Sequence, residues 1–180
     1  MKWKVLDSTY LFREPWLTVR KDKCEMANGH VMEAFYVNEY PDWVNVFALT
    51  DEGKVIMVKQ YRHGAGAESI ELPGGVAEKG EEMMEACKRE LMEETGYACT
   101  DWEYLGKISA NPSTTNNYMH MFLARNGKKV APQNLDAEEE LEVMELTIEE
   151  IKELVYGHKL LQSLHTNNIF YALHRLGKLC

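Results

Sequence analysis

The chain has 180 residues, is 45% hydrophobic with 4 Trp, 9 Tyr and 5 Phe, and carries a formal net charge of −9. That length fits one domain with a small extra subdomain, and the aromatic content is enough for a sizeable core. The negative charge excludes general nucleic-acid binding, which needs a basic footprint, and no apolar run approaches the roughly 18 residues of a membrane span. Cys24, Cys87, Cys99 and Cys180 form no CxxC pair, so neither a zinc site nor a redox motif is indicated. The opening "MKWKVLDSTY" lacks an apolar run of signal-peptide length. The expectation is a reduced, cytoplasmic, soluble protein with no nucleic-acid or membrane partner.

In chain order, residues 1–40 alternate like strands. "WLTVRKDKCEM" and "VMEAFYV" flank Asn28-Gly29, a strong hairpin signal. Pro41-Asp42 breaks the pattern and marks the boundary between a β subdomain, 1–40, and a main domain, 41–180. "VNVFAL" and "KVIMVKQY" around Asp51-Glu52-Gly53 read as a second hairpin. "HGAGAES" is a loop, and "IELPGG" leads into a helix expected over about 81–95 and ended by Gly96. "WEYLGKISA" and "YMHMFLA" read as strands joined by the polar loop "NPSTTNN". "APQNLDAEEE" is an acidic loop, and "LEVMEL" a short strand. Thr147 and Glu150 form a capping box for a helix stopping near Gly157, and a last amphipathic helix covers about 164–176. Many strands and three helices without regular βαβ alternation suggest an α+β or mixed-sheet fold.

The first helix is chemically odd. Glu90, Glu93 and Glu94 fall within about 100° of one another on one face, beside a stripe of Met84, Cys87 and Leu91. Like charges at these spacings cost roughly 0.2–0.5 kcal/mol per pair. Carboxylates at a helix C-terminus oppose the macrodipole by roughly 0.3–1 kcal/mol each. Two readings fit: a solvated acidic face with Lys88 and Arg89 as counterions, or a divalent-cation site of hard oxygen ligands.

Gly75, Glu81, Arg89-Glu90-Leu91, Glu93-Glu94 and Gly96-Tyr97 stand at spacings that resemble the Nudix box at every defined position. "VKQYRHG", "IELPGG", Pro112 and "LEVMELTIEEIKELVYGHKL" resemble the ADP-ribose pyrophosphatase branch of that family. The resemblance implies a mixed-sheet α/β/α sandwich with an N-terminal antiparallel β subdomain used for homodimerisation. It also implies Mg²⁺-dependent hydrolysis, with Mn²⁺ as the alternative metal, of the diphosphate of a nucleoside diphosphate sugar. ADP-ribose is the best single guess, giving AMP and ribose 5-phosphate. A house-cleaning nucleoside triphosphate hydrolase and a non-catalytic nucleotide-sensing module are the rivals.

The same resemblance implies the roles. Glu90 and Glu94 are the principal metal ligands, with Glu93, the Gly74 carbonyl and Glu139 as further ones. Gly75, Glu81, Arg89 and Gly96 are architecture. The general base is Glu139, with Glu138 and Glu140 open and Glu93 as the alternative. Arg62 would contact phosphate, for which a guanidinium is well shaped. Glu71 would hold a substrate or a metal-bound water, with a structural hydrogen bond as the equal alternative. Trp16, with Trp43 and Tyr40 as alternatives, could stack on a nucleobase. His63 and His120 lack metal-ligand spacing and are read as non-catalytic. The neutral loop "PSTTNN" departs from the branch, which usually carries Gly and an acidic residue there, so the terminal sugar stays open.

Overall fold

The computed structural model describes residues 1–179. The chain divides into two compact units: Met1–Pro41 with Ser109–Tyr118, and Asp42–Ile108 with the chain from Met119 onward. The polar loop after Ile108 therefore groups with the N-terminal strands rather than with the strands it joins.

The first unit is an antiparallel meander of β1 (Lys4–Glu14), β2 (Leu17–Glu25) and β3 (Val31–Glu39), in that spatial order. Gly29, at φ 83°, closes the β2–β3 turn. The polar loop adds to β3: the Asn38 N–H donates to the Thr114 carbonyl and the Tyr40 N–H to Asn116 Oδ1. Asp22, buried in β2, accepts from the Arg20 Nε and the Ser8 hydroxyl, and Arg20 also pairs with Glu39. Every residue of β1 is exposed, including Val5, Leu6, Leu11 and Phe12.

The second unit is built on a mixed sheet. β4 (Trp43–Thr50), β5 (Val55–Arg62), β9 (Met119–Lys129) and β10 (Leu141–Leu146) run in the order β10-β5-β4-β9, with a two-residue β7 (Tyr97–Ala98) beyond β9. β6 (Ala67–Glu71) pairs with β5, and β8 (Asp101–Ile108) with β9. The β4–β9 ladder is parallel and the others antiparallel. β4 is buried along nearly its whole length, because helices cover both faces. On one face α1 (Met83–Thr95) packs Ala86, Cys87 and Leu91 against Val44, Val46, Ala48 and Phe122. On the other, α2 (Ile148–Tyr156) and α3 (Ser163–Arg175) pack Ile151, Ile169 and Leu173 against Phe47, Met57 and Leu123. Each such large side chain contributes roughly 1.5–3 kcal/mol of burial.

Three local expectations change. α1 begins at Met83 rather than Glu81, because Glu82 caps it by accepting from the Met84 N–H and Glu81 is engaged in the preceding turn. β7 escapes a sequence reading because its two residues pair only through β9. The "HGA" loop winds into one 3₁₀ turn, His63–Ala65, closed by Gly66 at φ 63°.

The C-terminal end of α1 is fixed by close packing against backbone. Gly96 ends the helix at φ 73°, and a Cβ there would lie 2.0 Å from the Ala131 carbonyl oxygen. Gly96→Ala is expected to cost at least roughly 1–3 kcal/mol, read as a lowered urea midpoint with unchanged slope.

Candidate active site

The site starts from a gap in the sheet. β4 pairs with β5 only through Ala48–Leu49, after which β6 takes over that edge of β5. The vacated stretch of β4 is filled by segment 72–75: the Val46 N–H donates to the Pro73 carbonyl at 3.0 Å and the Val44 N–H to that of Gly75 at 2.9 Å. Gly74 lies between them. Its N–H donates away from β4, to Glu94 Oε2 at 2.8 Å. Gly74 admits no side chain, because a Cβ there would meet the Val44 carbonyl oxygen at 2.1 Å, whereas one on Gly75 would press on the Glu90 carboxylate at 2.6 Å and displace it.

Arg89 organises the acidic face. Its Nε donates to Glu81 Oε1 at 3.1 Å, and its Nη2 to Glu81 Oε2 at 3.0 Å and to the Val76 carbonyl at 3.1 Å. Its Nη1 reaches Glu90 Oε1 at 2.9 Å and Glu93 Oε2 at 3.0 Å. The counterion reading is therefore half right. Arg89 serves the cluster, whereas Lys88 pairs with Glu85.

Glu94 receives no such partner in this web. It is 4% exposed, and burial pushes its carboxyl well above the usual range, against the pull of the Gly74 N–H, with Glu90 and Glu139 adding repulsion. Burial also raises Glu90, opposed by Arg89. The acidic loop is tethered to the end of α1. Gln133 donates to the Glu94 carbonyl at 2.7 Å and the Asn134 N–H to that of Glu93 at 2.8 Å, satisfying helix-end acceptors. Beyond this tether Glu139 is exposed, in a turn where its carboxylate accepts from the Asp136 N–H. Its charge bears on Glu90, Glu94 and Arg62.

The chemistry of this donor set suits a hard cation: buried, mutually repelling carboxylates beside a backbone carbonyl. Among the described residues no three such side chains already converge on one point. A cation would thus complete its shell with water or phosphate oxygens and an incoming loop carboxylate.

Arg62 and Glu71 form one unit. Arg62 Nε and Nη2 donate to the two Glu71 oxygens at 2.9 and 2.5 Å. Glu71 is 1% exposed, while the Arg62 side chain is 43% exposed. The two line a groove of about 460 Å³ with Tyr61, His63, Leu161 and Gln162. Each Glu71 oxygen accepts one bond from Arg62, so the carboxylate holds the guanidinium in place. His120 bonds Asp42 and Tyr104, each at 3.1 Å. Trp43 is half-buried in β4, and Trp16 stands 78% exposed in the β1–β2 turn.

Sequence reasoning missed a buried polar layer behind the 72–75 segment. His165 Nδ1 accepts from the Leu72 N–H at 3.0 Å, and Asn168 donates to Asn45 Oδ1 at 2.8 Å. The signal was there: His165 and Asn168 interrupt the apolar stripe of Leu164, Ile169 and Ala172 on α3.

Residues 39–163 match the NUDIX domain family, and residues 3–38 match the nucleoside diphosphate sugar hydrolase N-terminal domain. The chain belongs to the Nudix hydrolase family, whose chemistry is metal-dependent. It is 35% identical over 153 residues to the ADP-ribose pyrophosphatase of Bacillus subtilis (strain 168), covering 84% of this chain and 82% of that protein. It is 31% identical over 161 residues to the methanol dehydrogenase activator of Bacillus methanolicus, covering 89% and 86%. The fold matches the crystal structure of an ADP compounds hydrolase with a TM-score of 0.83 at 22% identity, over 99% of this chain and 97% of that one.

The buried charges set a pH dependence with two opposing parts. Glu90 and Glu94 have raised folded values, so their stability contribution is present below about pH 4.5 and is lost as pH rises through those values. His165 is driven down to about 4 by burial, so its contribution is present above about pH 6.5 and is lost as pH falls through 4. Glu94→Gln removes part of the first without touching the second. In EDTA at neutral pH it should match or exceed wild-type stability, by up to roughly 0.5–1.5 kcal/mol. Differential scanning fluorimetry with and without Mg²⁺ checks this: Mg²⁺ should raise the wild-type Tm and leave the variant's nearly unchanged.

Proposed function

We propose that the protein hydrolyses the diphosphate linkage of nucleoside diphosphate sugars with Mg²⁺, and that ADP-ribose is its best substrate, yielding AMP and ribose 5-phosphate. The observation that carries this reading is the buried, underneutralised Glu90–Glu94 pair facing the Gly74 segment. Such a face binds an anionic diphosphate only after a cation reverses its charge. The names of the relatives narrow the substrate class.

In this reading Glu90, Glu94, Glu93, the Gly74 carbonyl and, on loop closure, Glu139 hold the metal. A metal held there would polarise the phosphorus and stabilise the leaving oxygen. Arg62, oriented by Glu71, holds a phosphate oxygen at the mouth of the groove. Arg89 keeps Glu90 and Glu93 at fixed positions relative to Val76 and Glu81 in the loop before α1. Glu139 takes the proton of the attacking water. Support for Glu139 over Glu138 and Glu140 is the reach of its charge to Glu90, Glu94 and Arg62. Closure of this loop over bound substrate would bring the carboxylate to the attacking water.

We further propose a homodimer formed through residues 1–40, since β1 leaves apolar side chains and an unpaired edge in water. Trp16, exposed in the turn between β1 and β2, is the proposed base-stacking residue. A cytoplasmic location agrees with Cys24, Cys87 and Cys99 being free thiols. No helix among the described residues is long and apolar enough to cross a membrane.

A phosphatase-coupled screen of nucleoside diphosphate sugars and nucleoside triphosphates with Mg²⁺ should give the highest kcat/KM with ADP-ribose. A preference for triphosphates would overturn the substrate class. Glu139→Gln should lower kcat by about 10²–10⁴-fold in single-turnover hydrolysis, with the Mg²⁺ midpoint little changed. Normal cleavage by the 138, 139 and 140 Gln variants together with a crippled Glu93→Gln would move the base to α1. Light scattering at micromolar concentration should give the dimer mass; a monomer would refute the assembly.

A further inference from the structure

His165 lies on α3, on the opposite face of the sheet from α1, and takes no part in the chemistry above. It is 5% exposed and touches two functional segments at once. Its Nδ1 accepts from the Leu72 N–H at 3.0 Å, which fixes that nitrogen as unprotonated and puts the ring proton on Nε2. Nε2 stands 3.6 Å from Glu71 Oε2. That is too long for a hydrogen bond but close enough for a field in a dry interior. Glu71 is a buried anion whose named partner is Arg62, and a buried carboxylate keeps its charge only when surrounded by favourable dipoles. The ring thus presents one N–H to the carboxylate and one lone pair to the backbone that leads into Gly74.

We propose that His165 is a positioning residue that holds Arg62, through Glu71, in the orientation that receives the substrate diphosphate. This rests on the phosphate-holding role given to Arg62. An oxyanion contact made equally in ground and transition states shows in KM and not in kcat. The neutral ring is maintained by its burial, which keeps its pKa at about 4.

Two substitutions separate the two ends of the ring. Asn places an amide oxygen near Nδ1 and keeps an acceptor for the Leu72 N–H, but it cannot reach Glu71. Gln is long enough to present an N–H to Glu71. The experiment measures kcat and KM for ADP-ribose with Mg²⁺ in wild type, His165→Asn, His165→Gln, Arg62→Ala and His165→Asn/Arg62→Ala, with Tm alongside. His165→Asn should raise KM about tenfold with kcat within about twofold. His165→Gln should recover most of that loss, and the Asn change should add little once Arg62 is gone. An equal rise in KM with and without Arg62, or a loss that follows Tm and appears in kcat, makes His165 merely structural and overturns the proposal. Unchanged KM in His165→Asn while Arg62→Ala raises it overturns the role of His165 alone. Unchanged KM in Arg62→Ala overturns both roles together.

Discussion

A single guanidinium facing several carboxylates is the constraint on which this site depends. α1 crowds Glu90, Glu93 and Glu94 at the end of the helix where the backbone dipole repels them. Arg89 answers with a planar fork that bonds Glu81, Glu90, Glu93 and the Val76 carbonyl at once. A lysine could not do this, because its ammonium is a point charge without fixed donor directions. The fork pins the box turn to the helix, but its donors do not extend to Glu94. The cluster is left with an excess of negative charge in a buried place, and that excess is the property a cation relieves.

The fold places this excess against backbone rather than against side chains. Because β4 leaves β5 early, segment 72–75 lies along β4, with Pro73 and Gly75 facing the strand and Gly74 facing α1. Gly74 is a spatial necessity against the Val44 backbone, and Gly75 leaves the Glu90 carboxylate its place. From the other face, His165 of α3 accepts from the Leu72 N–H at the start of this segment, while Asn168 bonds Asn45 of β4 and the Phe122 carbonyl of β9. Arg62 ends β5 beside the 3₁₀ turn and reaches along the β5–β6 ladder to Glu71, which ends β6 opposite Val58, and the groove lies beside this pair.

Local chemistry in the sequence foretold local structure well. Asn28-Gly29 and Asp51-Glu52-Gly53 are turns, Thr147 and Glu150 form the capping box, and Gly96 ends α1 with positive φ. The acidic face and its bordering stripe of Cys87 and Leu91 are where helical spacing put them. What failed to show was whatever depends on distant pairing. Nothing in "VNVFAL" says that its parallel neighbour is β9, and nothing in "IELPGG" says that Glu71 is already matched to Arg62. His165 reads in sequence as one polar residue on an amphipathic helix. Its importance comes from Leu72 and Glu71, more than 90 residues earlier, being brought beneath it.

Most of the chemistry above depends on the α1 carboxylates forming a cation site that becomes complete only with the substrate diphosphate. Titrating Mn²⁺ followed by electron paramagnetic resonance, with and without a non-hydrolysable methylene analogue of ADP-ribose, tests this without turnover. Mn²⁺ binding should tighten markedly when the analogue is present and be lost in both Glu90→Gln and Glu94→Gln. Mn²⁺ binding of equal strength in wild type and both variants, with or without the analogue, would contradict a cation site of this kind.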